Sequence, residues 1–168
     1  MKSIVRYIAV IICIIFLFAG CKKQLKYSKI PSIEFVSFKV VRNQQDPLTT
    51  VYGDTVIVNI KYQDGDGDLG LANADTSASS DNYIMNVYAK VNGVFYPLTF
   101  NPSFNGKFPK LTTDNSVGPI DGILSRGLFM EYSAPIVKND TLMFEITIFD
   151  RAKNESNTIR TPSVVVWQ

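Results

Sequence analysis

The chain has no histidine, one tryptophan and two cysteines in 168 residues, and each shortage closes off chemistry. Without imidazole there is no histidine general base and no histidine-containing zinc site. Both cysteines, Cys13 and Cys21, lie near the start of the chain, so no downstream segment can form a disulfide or supply a thiol nucleophile. An excess of one charge is missing too. The 17 basic and 15 acidic residues form no basic stripe, which disfavours a nucleic-acid partner. Convincing amphipathic helices are absent; the run Ile120 to Met130 is broken by Gly122 and Gly127.

What the chain does have begins with a processed-looking end. Lys2 and Arg6 precede an uncharged apolar run from Ile8 to Ala19, which is shorter than the roughly 20 residues of a membrane span and suits a secretory signal. The run closes on Leu17-Phe18-Ala19-Gly20-Cys21. This stretch resembles the bacterial lipobox. The resemblance implies a signal peptide over residues 1–20, cleavage before Cys21, and a diacylglyceryl thioether on Cys21 with a further palmitate-type acyl chain on the new amino terminus. More than one chain is what stable anchoring requires. Residues 21–32 would then be the lipidated cysteine and its tether, carrying Lys22, Lys23, Lys26 and Lys29. Losing Lys2 and Arg6 leaves 15 basic against 15 acidic residues, a balanced mature chain.

Residues 33–168 read as one all-β domain. Ile33 to Val40 is rich in β-formers, with Ile33, Phe35 and Phe38 toward the core after a slip in phase. Val56, Val58, Ile60 and Tyr62 alternate with more polar neighbours, and Gly53-Asp54 is expected to form the turn before them. Tyr83 to Val91 and Val94 to Phe100 flank Asn92-Gly93, the pair that favours a tight hairpin because both residues tolerate positive φ. Further strands are expected at Leu128 to Ser133, Leu142 to Phe149 and Ile159 to Trp167. Residues 101–127, rich in Gly, Pro, Asn and Ser, read as an irregular excursion holding one short strand near 107–111. About seven antiparallel strands with short links predict an immunoglobulin-like β-sandwich, with a small barrel as the alternative. Tyr62, Tyr88, Phe95, Phe144 and Phe149 are read as core packing rather than a carbohydrate platform.

The unusual segment is Tyr62 to Gly70, YQDGDGDLG. Asp64, Asp66 and Asp68 occupy positions one, three and five of a compact turn, a spacing that lets small carboxylates converge on one cation. With only oxygen ligands to hand, the natural cation is hard and of the calcium type. The EF-hand pattern ends early: its sixth and twelfth positions hold Leu69 and Asp75 instead of Gly and Glu, and a strand rather than a helix precedes it. The remaining ligands must come from elsewhere. In an immunoglobulin-like order the loop after the sixth strand opens at the same end, so Asp150 is expected to complete the site and Asn154 to add a neutral oxygen. Two other readings stand beside calcium: a metal-free turn neutralised by Arg151 or backbone N–H groups, and a catalytic carboxylate cluster.

With these residues laid out, the chain resembles small lipoproteins of the Bacteroidetes group. They combine a lipobox, an immunoglobulin-like sandwich, a stretch like Tyr62 to Gly70 and a late Asp-Arg-Ala-x-Asn loop, here Asp150 to Asn154 (DRAKN). That loop is also similar to an Asp-Arg/Lys-Ala-Gly-Asn element of extracellular modules, with Lys153 in the glycine position. The resemblance implies an outer-membrane lipoprotein, anchored through its lipid. The absence of acidic residues after Cys21 points to the periplasmic rather than the outer face. The leading expectation is a non-catalytic envelope module that binds a protein or glycan through calcium-stabilised loops. An accessory subunit of an envelope complex is the second, favoured if Phe104, Phe108, Phe129 and Met130 gather on the surface, and a hydrolase is the third.

Overall fold

A computed structural model describes residues 26–70, 81–109, 111 and 118–168. The signal segment, Cys21 and Asp75 lie outside these residues. The strands are β1 (Ser32–Gln45), β2 (Tyr52–Asp64), β3 (Tyr83–Val91), β4 (Val94–Leu98), β5 (Ile120–Glu131), β6 (Thr141–Ile148), β7 (Ile159–Arg160) and β8 (Val164–Val165). The chain is all-β with two antiparallel sheets, and no helix occurs among the described residues. One sheet has the order β1-β2-β5; the other runs β4-β3-β6-β7, with β8 also paired to β6. Moving the fourth strand of an immunoglobulin constant domain from the ABED sheet to the CFG sheet produces this order.

The alternating patterns explain the core. Val56, Val58, Ile60 and Tyr62 of β2 face Leu142, Phe144, Ile146 and Ile148 of β6, all eight buried. Each such side chain contributes about 1.5–3 kcal/mol of hydrophobic stabilisation. The expected slip in β1 is a β-bulge between Phe35 and Ser37. It lets Phe35 and Phe38 both pack on the core, with Phe38 edge-on to Phe144 across the sheets at 5.9 Å. Val91 pairs with Val94 around Asn92 (φ 50°) and Gly93 (φ 86°), the two-residue hairpin expected from Asn-Gly. Of the aromatics assigned to the core, Tyr62 and Phe144 are buried, whereas Tyr88, Phe95 and Phe149 are half-buried; the Tyr88 hydroxyl bonds Glu145.

Two expectations are corrected. The excursion ends at Ile120, where β5 begins and pairs along the whole of β2, from Asp64↔Ile120 to Gly53↔Glu131. Gly122 and Gly127 are strand residues: a Cβ at Gly122 would strike the Tyr62 ring (2.9 Å from Cζ), so the site accepts no side chain. Of the excursion itself, the described β features are two isolated bridge residues, Gly106, which pairs with Tyr83, and Pro109. Gly53-Asp54 is likewise no turn but the start of β2. The β1–β2 turn is built earlier, by Asp46 Oδ1 accepting from the N–H groups of Leu48 and Thr49, with Thr50 at φ 60°.

A candidate metal centre where two loops meet

The sandwich has two distinguishable ends. At one, β2 finishes at Asp64, β5 begins at Ile120 and β1 enters at Ser32, opposite Gln63. The loop after β6 closes over the same end: Arg151 N–H donates to the Asp68 carbonyl (3.3 Å) and Ala152 N–H to Asp68 Oδ2 (3.2 Å). The DGDGDLG and DRAKN loops therefore meet, as their strand order implies.

Asp64 lies in the inward phase of β2 and is fully buried, at 0% exposure; Asp66 and Asp68 are half-buried. Each of the three offers one carboxylate oxygen, and these atoms all lie within 4.8 Å of one another. Asp64 Oδ2 accepts the Asp68 N–H at 2.9 Å. Asp64 Oδ1, Asp66 Oδ1 and Asp68 Oδ1 are buried with no hydrogen-bond partner among the described residues. Burial, reinforced by Asp66 and Asp68, pushes the Asp64 carboxyl above the ordinary carboxylate range. Burial also raises Asp68, with Asp150 and Asp66 adding to it. Among the described residues no lysine or arginine forms an ion pair with the three; Arg151 lowers the Asp68 pKa only weakly and at a distance.

The local sequence explains the shape. Gly67 takes φ 73° and its Cα lies against the Gly118 carbonyl, while Gly118 N–H donates to the Asp66 carbonyl at 3.2 Å. Leu69 turns back into the core at 1% exposure, so the residue at the sixth position plugs the sandwich where an EF-hand would bend on glycine.

Asp150 is buried (1% exposed) beside the cluster, and its field reaches Asp68, yet it stands outside the tight oxygen set. Its two oxygens accept the Asn154 backbone N–H and side-chain Nδ2, both at 2.7 Å. Asp150 and Asn154 thus build the DRAKN loop, with the Asn154 amide nitrogen rather than its oxygen engaged. Lys153 adopts φ 69°, a left-handed conformation that glycine takes without steric cost. The ligand set that remains is all oxygen and carries three carboxylates, each with a buried Oδ1 that no donor satisfies, which fits a hard divalent cation.

Sequence reasoning missed two partners of this site, Gly118 and the backbone of Tyr27 and Ser28, which lies against Gly65. No local signal marks either, because both are long-range backbone approaches. A second concavity, about 290 Å³, lies farther along the molecule between Phe100, Phe104, Phe129, Glu131 and Ser133. Phe108 and Met130, at 0% and 1% exposure, belong to the core, so the surface gathering of Phe104, Phe108, Phe129 and Met130 that would favour an accessory subunit is not seen. No protein-family model, curated protein or solved structure matches the chain.

Proposed function

We propose that the chain is a non-catalytic, lipid-anchored module of the bacterial envelope, ordered by calcium and engaging an envelope protein or glycan. The observation that carries the calcium reading is that Asp64, Asp66 and Asp68 each bring a carboxylate oxygen within 4.8 Å of the others and each keep a buried Oδ1 without a hydrogen-bond donor. Leaving such oxygens bare costs several kcal/mol in the interior, and a cation removes that cost. Calcium here acts as a clamp between the strand ends and adds stability by binding only the folded state. The lipobox-like Leu17 to Cys21 and the likeness of Tyr62 to Gly70 and Asp150 to Asn154 to Bacteroidetes lipoproteins support the anchor and the periplasmic face of the outer membrane. The non-catalytic reading is supported by the lack of histidine and of a downstream thiol, and by the engagement of Asp150 with Asn154.

The test is calorimetric titration of calcium into the full-length chain in detergent. Saturable binding that Asp66→Asn weakens is expected; no heat up to millimolar ion would overturn the calcium clamp. In cells, Cys21→Ser should abolish incorporation of a labelled fatty acid and release the chain from the membrane fraction. Retention of the label would refute the anchor.

A further inference from the structure

The cation loop also holds the segment that leads into the sandwich. Gly65 sits between Asp64 and Asp66, and its peptide packs directly on the backbone of Tyr27 and Ser28. A Cβ built there would overlap both of their carbonyl oxygens, lying 2.6 Å from that of Ser28. The chain stays fixed from this point to β1. Ser28 Oγ accepts the Ile30 N–H at 3.0 Å and Pro31 is buried. Asn157, just past the DRAKN loop, clips Ile33 through both its backbone N–H and its carbonyl, each at 2.9 Å. Residues 27–33 therefore run along the cation end of the molecule, against a peptide flanked by two of the three clustered carboxylates.

We propose that this site is a tether lock: a divalent cation held by Asp64, Asp66 and Asp68 keeps the 64–66 backbone in the shape on which Tyr27 and Ser28 rest, and so sets the stance of the sandwich relative to the preceding segment. The proposal rests on the cation reading of the same site. Without the ion, mutual repulsion drives the three carboxylates apart, and the Gly65 peptide cannot move without displacing what is packed on it. From Cys21 to Tyr27 the chain reaches at most about 20 Å. A lipid on Cys21 would then turn the cation end toward the bilayer and the opposite end outward.

Lys26 and Lys29 are exposed tryptic sites on this segment, and Lys138 is an exposed one in the loop between β5 and β6 at the other end. The full-length chain in detergent is digested in millimolar calcium and in chelator, and cleavage after each lysine is followed by mass spectrometry. Cleavage reports how often the local backbone opens, so calcium should slow cutting at Lys26 and Lys29 by about tenfold or more relative to Lys138. Asp66→Asn should remove this protection. Gly65→Ala should expose both sites even in calcium while calorimetric binding persists. If Gly65→Ala does not fold, the wild-type comparison still decides. Calcium binding by calorimetry with unchanged cleavage at Lys26 and Lys29 would overturn the lock and leave the cation site standing. No binding at all would overturn both.

Discussion

Strand β2 carries a fully buried aspartate near each end, and the two have opposite surroundings. Asp54 accepts four hydrogen bonds: from Arg42 Nη1 (2.6 Å), Asn43 N–H (3.0 Å), Trp167 N–H (2.9 Å) and the Tyr132 hydroxyl. Asp64 accepts the Asp68 N–H, keeps Oδ1 without a partner, and has two further carboxylates beside it. Both are at 0% exposure, and burial raises the pKa of both. At Asp54 the donors outweigh burial, so its carboxyl is held below the ordinary range. At Asp64 the neighbouring charges add to burial and push it up. A buried carboxylate with a full set of donors is a finished structural part, whereas one without them requires a proton or a cation. Asp54 ties β1, the start of β2, Tyr132 and the C-terminal Trp167, whose ring stacks on Tyr132 at 5.1 Å. Asp64 ties nothing comparable.

The largest expected effect is on the finished end. Asp54→Ala strands its donors and should lower unfolding free energy in urea by about 3 kcal/mol, the low side for a broken buried pair because Arg42 is 39% exposed. A loss under about 1 kcal/mol would mean the hub is not a structural keystone. Next, calcium at a hundredfold excess over its Kd should add about 2.7 kcal/mol, read as a rise in Tm over the chelated protein. The same increment should appear in Asp54→Ala, since the two sites share no partner. Equal melting with and without calcium would erase the contrast between the ends.

A smaller effect gives the sharpest contrast, because its sign reverses along one strand. In chelator, Asp64→Asn relieves repulsion and should be neutral or stabilising by up to about 1 kcal/mol, with the calcium response lost. Asp54→Asn under the same conditions should destabilise. If both variants lose stability alike, the difference in their surroundings has no energetic meaning. Smallest is the acid response of Asp54. Its folded pKa lies below its unfolded one, so its contribution is present above the ordinary aspartate value of about 3.9 and fades as pH falls through the depressed folded value. The stability gap between wild type and Asp54→Asn should therefore narrow as urea denaturations are taken from about pH 5 to pH 2. A gap that stays constant would contradict the lowered pKa.

Much of the fold was legible because it is written in period two. The inward phase of β2 and β6, the Asn92-Gly93 hairpin and the slip in β1 all follow from local alternation and turn chemistry. The residues at 120–127 were read as irregular because β5 alternates Ile120, Gly122, Leu124 and Arg126 on one face. Glycine and arginine hide a strand whose inner space is taken by the Tyr62 ring and by Arg126 reaching the Phe104 and Asn105 carbonyls. Of the candidate site, Asp64, Asp66 and Asp68 were legible from spacing, and the approach of the DRAKN loop from strand order. The roles of Asp150 and Asn154 were not, because a carboxylate that can ligate an ion can equally cap its own loop.

By itself the sequence determined the inward parity of Val56, Val58, Ile60 and Tyr62. It also determined that Asp66 and Asp68 follow Asp64 closely enough to converge. That Asp54, read as a turn residue, and Asp64, read as a loop residue, extend the same strand and share that parity emerged only in the fold. Only the tertiary structure decided which aspartate would be satisfied. The donors to Asp54 come from residues 42, 43, 132 and 167. Gly118, Arg151, Ala152 and the backbone of residues 27–28 close around the loop after Asp64 without supplying the missing partners. Parity is a local property of the chain, whereas the number of donors around a buried charge is set by segments far apart in sequence.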